Sequence, residues 1–216
     1  MFFYNSFGPN PRALRMFLAE KGLKLDTRDL DIMGAENRKG EYVKKNPGGQ
    51  IPALELDDGT VIAETVPIFE YLEEQNPNPP LIGRNAKERA EARMWARRIE
   101  QKITENLYNG FRFAEGLDLF KDRMRCMPEA AKGLKQNASE GLVWLDGLMD
   151  GRKFVAGDRF TIGDIILYCA LDFGGGVGQK VPDEAKQVGE WFKRVESRPS
   201  AKASLHPAHE QVGMKG

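Results

Sequence analysis

The chain has 216 residues, with 32 Lys plus Arg against 32 Asp plus Glu and a formal net charge of zero. That balance excludes a protein built to grip nucleic acid or an anionic membrane. No apolar run is long enough to span a bilayer, no CxxC pair serves a zinc ribbon or redox dithiol, and both His residues lie near the C-terminus, so no metal site is expected.

The length suits one large or two modest domains. Met1-Phe2-Phe3-Tyr4-Asn5 lacks a basic region followed by an apolar core. No signal peptide is expected from it, and a cytoplasmic protein is the prior.

Met1 to Tyr4 reads as a short apolar strand, with Tyr4 a strand residue. Asn5 to Pro11 (NSFGPNP) is dense in turn residues. Arg12 to Lys21 is helical: Leu14, Phe17 and Leu18 fall at i, i+3 and i+4, and Gly22 fits the stop. Leu25 to Asp31 carries charges on both faces and reads as a weak edge strand. Gly34 to Lys45 is a short irregular helix.

Asn46 to Thr65, NPGGQIPALELDDGTVIAET, organises the rest. Pro47-Gly48-Gly49 punctuates a loop. Ala53 to Leu56 and Val61 to Ala63 pair across the turn Asp57-Asp58-Gly59. Thr65 is the expected N-cap of a helix over Val66 to Gln75, with Pro67 in its first turn. A strand edge after a turn offers backbone groups to an extended peptide. A helix N-terminus offers N–H groups to a carboxylate. A small peptide with an acidic end fits both.

The order β-α-β-α-β-β-α suits a four-stranded mixed sheet with helices on its faces. The proline-rich stretch Asn76 to Arg84 (NPNPPLIGR) marks a boundary. It separates an α/β domain at 1–76, through a linker at 77–85, from an all-α domain at 86–216.

Beyond it, Ala86 to about Phe113 reads as one long helix. Ala92, Trp95, Ile99, Ile103, Leu107 and Phe111 recur near every fourth residue. Lys87 to Arg98 is a solvated face. Gly116 to Met127 and Glu129 to Met149 are two helices broken at Pro128. Thr161-Ile162-Gly163-Asp164 is a capping box with Asp in the Glu place. Ile165 to Phe173 is apolar nearly all round, hence buried, and ends at Gly174-Gly175-Gly176. Val188, Trp191, Phe192 and Val195 mark an amphipathic helix stopped by Ser197-Arg198-Pro199. The tail after Leu205 has little to bury and is expected to be loose. Cys126 and Cys169 read as structural.

A small α/β unit, a proline-rich linker and an all-α unit resemble the order of the cytosolic glutathione transferases. Asn46-Pro47 with Gly49-Gln50-Ile51-Pro52-Ala53-Leu54 resembles that family's N-P-x-G-x-[VI]-P-x-L signature. Glu64-Thr65 is similar to its E-[ST] pair, Leu18-Ala19-Glu20-Lys21-Gly22 to the end of its first helix, and Thr161 to Ile165 to its [ST]-x-A-D-[IV] motif. The resemblance spans both domains in order. It implies a thioredoxin-like N-terminal domain, glutathione as co-substrate, no metal, a homodimer in which the long helix takes part, and no nucleic-acid or membrane partner. It also implies a cis Pro52, Ile51 backbone pairing with the cysteinyl part, Glu64 and Thr65 on the γ-glutamyl end, and Gln50 nearby. Glu64 is expected to be buried beside the helix start.

Glutathione chemistry needs the thiolate, and a donor aimed at the sulfur lowers the thiol pKa. The family places this donor in the loop after the first strand. Here the Ser or Cys position of most bacterial classes falls on Gly8, which has no side chain. Pro9-Asn10 resembles the T-P-N stretch of the nu class, and Ser6-Phe7-Gly8-Pro9 the loop of some β-aryl-ether-cleaving members. Asn10 is therefore the first candidate donor, Ser6 the second and a loop N–H the third. The other reading of Asn10 is a helix cap. Tyr108, Phe111, Arg112 and Phe7 are candidates for holding an apolar electrophile with a polar handle, or else ordinary packing. The leading function is addition of glutathione thiolate to such an electrophile. Ether cleavage, disulfide reduction and a non-catalytic glutathione-binding module are the alternatives.

Overall fold

The computed structural model describes residues 1–212. Four strands form one sheet in the order β2-β1-β3-β4: β1 (Phe2–Asn5), β2 (Asp26–Asp29), β3 (Ala53–Glu55) and β4 (Val61–Ala63). β1 runs parallel to β2 and antiparallel to β3, and β3 and β4 form the expected hairpin. Every residue of β2 is exposed, as its two-faced charge pattern predicts for an edge.

Alternation along the strands sorts the core. Phe3 and Leu54, paired in register, belong to the main core with α1 (Pro9–Lys21) and α3 (Thr65–Gln75). There Phe17 stacks on Phe69 at 4.5 Å. Tyr4 and Ala53 point to the other face, against Tyr42 of the short helix α2 (Gly40–Lys45). The main core continues without a break into the helical half.

That half begins with α4 (Ala86–Ile99), a π turn at Glu100–Thr104, and α5 (Glu105–Arg112). The long helix is therefore not uniform. A strict four-residue repeat drifts by about 40° per step around an α-helix. The wider π turn absorbs part of that drift, so that Trp95, Ile99, Ile103 and Leu107 all stay buried. Then come α6 (Leu117–Phe120), α7 (Ala131–Asp146), α8 (Ile162–Gly176), α9 (Lys186–Glu196), α10 (Pro199–Ala203) and α11 (His209–Val212).

Several boundaries depart from the sequence reading. The expected helix over Gly116 to Met127 shrinks to α6, and α7 is preceded by a 3₁₀ turn at Pro128–Ala130. α8 runs on through the three glycines. A Cβ at Gly174 would sit 2.9 Å from Leu107 Cδ1 and 3.0 Å from Gln179 O, so glycine here permits close approach rather than ending the helix. Pro199 occupies the first turn of α10, where its missing N–H costs nothing. The tail is also better anchored than expected: the His206 ring lies 4.6 Å from Phe7. The rest of that tail, 213–216, lies outside the described residues.

The capping box forms. Asp164 accepts from Thr161 N–H and also from Val155 N–H and Trp191 Nε1–H, all within 2.9 Å, tying α8 to α9. Among the described residues no helix is long and apolar enough to cross a membrane.

Candidate active site

The site grows from the loop between β1 and α1. Gly8 stands before α1 with φ +124° and ψ 161°, a conformation that side chains avoid. The position thus serves the backbone. It also moves the helix start: α1 begins at Pro9, so Asn10 lies inside the first turn and makes no capping bond, contrary to the cap reading. The Asn10 side chain has no hydrogen-bond partner among the described residues. Pro9 and Pro11 carry no N–H, which removes two of the donors a helix N-terminus normally offers.

Arg15 fixes this loop from below. Its Nη1 donates to Asn5 Oδ1 at 2.6 Å and to Ser6 O, and its Nε donates to Ser204 O. Burial lowers its pKa to about 10, still far above neutrality. Ser6 is buried, and its hydroxyl donates to Leu30 O at 2.9 Å. It therefore lies outside the cleft lining and has its proton committed elsewhere. The Tyr4 hydroxyl likewise donates to Glu55 Oε2.

A second loop, Asn46 to Pro52, forms the adjoining wall. Its carbonyls are held by side chains: Asn37 Nδ2 donates to Gly49 O at 2.6 Å, Asn46 Nδ2 to Gln50 O at 2.8 Å, and the Tyr42 hydroxyl also to Gln50 O. The Ile51–Pro52 peptide is cis. The Ile51 backbone N–H and C=O have no partner among the described residues. Ala53 pairs with Ala63, so Pro52 and Glu64 follow side by side. Glu64, not Thr65, holds the N-cap position of α3. It does so at φ +69°, a strained conformation for a side-chain-bearing residue, of a kind that clusters at ligand clamps. It is exposed, contrary to the expectation of burial.

Between these loops and the helical half lies a cleft of about 1030 Å³, counted out to its open mouth. Phe7, Gly8, Asn10, Gln50 and Ile51 line one wall, and Tyr108, Phe111 and Arg112 of α5 line the other. Phe173 of α8 closes the floor, its ring edge-on to Phe111 at 5.1 Å. Burial raises the Tyr108 phenol well above its ordinary pKa, so it stays neutral. Ser6, Pro52, Glu64 and Thr65 lie beside the cleft rather than in its lining.

The sequence reading missed Arg38, Phe120 and Arg123, which also line the cleft. Arg123 donates to Ile32 O and Met33 O across the domain boundary. The spacing of Phe120 and Arg123, three apart after Leu117, was the only local sign of a shared face.

Two family profiles match the chain: "Glutathione S-transferase, N-terminal domain" over residues 7–75 and "Glutathione S-transferase, C-terminal domain" over residues 125–199. Glutathione S-transferase 2 of Saccharomyces cerevisiae is 33% identical over 203 residues, covering 92% of this chain and 86% of that protein. The solved structure of Gtt2 from Saccharomyces cerevisiae superposes with a TM-score of 0.89 at 31% identity, over 95% of this chain and all of that one. A glutathione S-transferase domain-containing protein from Marinobacter aquaeolei gives 0.87 at 35% identity, over 93% and 99% of the two chains. With the four-stranded mixed sheet, the cis Pro52 loop and the helical half in the same order, the chain belongs to the glutathione S-transferase family.

Proposed function

We propose that the chain is a glutathione transferase that holds glutathione along the Gln50–Pro52 loop and activates its thiol with Asn10. The observation that carries this is the Asn10 side-chain amide, which lines the cleft, caps nothing and has no partner among the described residues. The free backbone of Ile51 suits pairing with the cysteinyl part. The start of α3, with Glu64 and Thr65, suits the γ-glutamyl end, whose ammonium needs an acid and whose carboxylate gains from a helix N-terminus.

An unperturbed thiol has a pKa of roughly 8.5. An N–H aimed at the sulfur, in the field of the α1 N-terminus, favours the thiolate and lowers that value. Holding the electrophile against the sulfur in a cleft walled by Phe7, Tyr108 and Phe111 supplies proximity and excludes water. The thiolate sulfur bonds to the electrophilic carbon, and the leaving group departs with the electron pair.

The test pairs calorimetric titration with glutathione and a turnover assay with chlorodinitrobenzene. Binding together with turnover above the uncatalysed rate is expected. A folded protein that fails to bind glutathione would end the proposal.

A further inference from the structure

The helical wall of the cleft is both aromatic and cationic. Phe120 lies under two guanidinium groups: Arg112 Cζ is 5.7 Å from its ring centroid and Arg123 Cζ is 6.0 Å away. Arg112 also lies over Tyr108 at 5.9 Å. Arg38 approaches from the opposite wall. Burial first, and then the charges of Arg112 and Arg123, push its guanidinium below the usual value.

None of the three forms an ion pair with a carboxylate among the described residues, and the cleft lining contains no Asp or Glu. Elsewhere the arginines divide, and Arg89, Arg125 and Arg194 also form no ion pair among the described residues. Arg12, Arg84, Arg93 and Arg198 each have a carboxylate partner at 3.0 Å or less. Asp118 and Asp122 line an adjoining hollow that shares Arg38 and Arg123, with Asp118 paired to Lys121, while the cleft lining itself carries three cations in a chain whose net charge is zero. Clustered like charges in a partly buried site repel, and a bound anion relieves that repulsion.

The arginines are also held ready. Arg112 uses Nη1 on Asn109 Oδ1 at 3.1 Å, and Arg123 uses its two terminal nitrogens on Ile32 O and Met33 O. A guanidinium has five N–H donors, so both keep free ones. Arg38 stands with Asn37 and Gln50 on the wall assigned above to glutathione. Arg112 and Arg123 stand among the rings of the other wall, where the second substrate goes.

We infer that Arg112 and Arg123 form an anion-reading subsite, so that the preferred electrophile is a flat aromatic molecule bearing a carboxylate. The inference rests on the transferase reading above and adds the substrate class. Phe111 and Phe120 take the ring, and the guanidinium groups take the carboxylate through charge-assisted hydrogen bonds. In the reaction the sulfur–carbon bond forms and the carbon–halogen bond breaks. Halide leaves with the electron pair, the thiol proton passes to solvent, and the carboxylate is unchanged.

The experiment compares chlorodinitrobenzoate with chlorodinitrobenzene, each kcat/KM divided by the uncatalysed rate constant with glutathione under the same conditions. The normalised ratio should favour the benzoate by about tenfold. It should fall towards one in Arg112→Gln and Arg123→Gln, and with added salt. A wild-type ratio near one, or a ratio unchanged in both variants, overturns the inference. In parallel, calorimetry compares the two product conjugates, which share the same glutathione part and differ in the carboxylate. Tighter binding of the carboxylate conjugate by the wild type, lost in Arg112→Gln, supports the subsite. Equal affinities overturn it. If that binding preference holds while neither substrate is turned over, the subsite stands and the transferase reading falls. Among the described residues Arg112 makes no hydrogen bond across the domains, so its variant keeps the test sound if Arg123→Gln proves unstable.

Discussion

The Arg12 guanidinium meets the Asp172 carboxylate at 2.6 Å, with 1% and 7% of the two side chains exposed, and so joins α1 to α8. Arg12 Nε also donates to Ser204 Oγ and Nη2 to Ala201 O, which brings in α10. The stretch from Phe7 to Pro11 that lines the cleft comes just before this charge. Asp172→Asn removes the carboxylate charge from beside the buried Arg12 guanidinium and should cost about 3–5 kcal/mol. Urea denaturation measures it, and an unchanged midpoint refutes the role. Replacing both partners with apolar residues of similar size should recover much of the loss.

A second buried pair governs the connection between the halves. Lys21 Nζ contacts the Glu73 carboxylate and donates to Asn76 O at 2.8 Å and Pro79 O at 2.6 Å. Glu73 accepts from the N–H groups of Leu81, Ile82 and Gly83. Two charges thus satisfy the backbone of a segment that has no regular structure of its own. Glu73→Ala should cost about 3–5 kcal/mol. It should also speed proteolytic cleavage between residues 77 and 84, and a wild-type digestion rate would contradict this.

Glu20 links α1 to α10. Burial tends to raise its pKa, but hydrogen bonds from Arg198 at 2.7 Å and from Ser200 outweigh that and hold it below the ordinary value. A depressed carboxyl stabilises the fold above its unfolded pKa, and that contribution is lost as pH falls through the folded value. Glu20→Gln should therefore be less stable than wild type by about 1–3 kcal/mol at neutral pH. The gap should narrow as pH drops below the ordinary carboxylate range. A gap independent of pH would show that Glu20 acts through shape alone.

Asn10→Ala should reduce kcat by about a hundredfold, the scale for removing one donor from a developing or resident anion. Glutathione affinity should change little, because the hold on the peptide is assigned above mainly to the Gln50–Pro52 loop and the α3 start. The pKa of the bound thiol, followed by thiolate absorbance, should rise towards that of free glutathione. A thiol pKa and kcat equal to wild type would remove Asn10 from the mechanism.

The hairpin and the capping box were legible because their causes are local. Asp57-Asp58-Gly59 dictates a turn wherever it sits, and Thr161 with Asp164 lie one helical turn apart. The four-residue repeat from Trp95 to Phe111 was also visible, yet its meaning was not: only the packed helix shows that the repeat is served by a π turn. What stayed hidden was long-range. Nothing near Arg12 in sequence points to Asp172, 160 positions away, and nothing near Arg123 points to the carbonyls of Ile32 and Met33. Such partners are chosen by tertiary packing. The start of α1 was misplaced for a different reason. Turn residues dominate NSFGPNP, but proline is as much at home in a first helical turn as in a loop.

The π turn at Glu100–Thr104 sits between the part of the helix that packs in the core and the part that lines the cleft. Each residue advances an α-helix by about 100°. A π turn closes its hydrogen bonds one residue later than an α turn, so deleting one residue from 100–104 would let the helix run straight with Trp95 and Ile99 in the core and Tyr108, Phe111 and Arg112 still facing the cleft. Point substitutions edit this wall one side chain at a time. A codon lost at the π turn would spare the wall, whereas one lost from the α-helical stretch just beyond it would turn the whole facing set by about 100° at once.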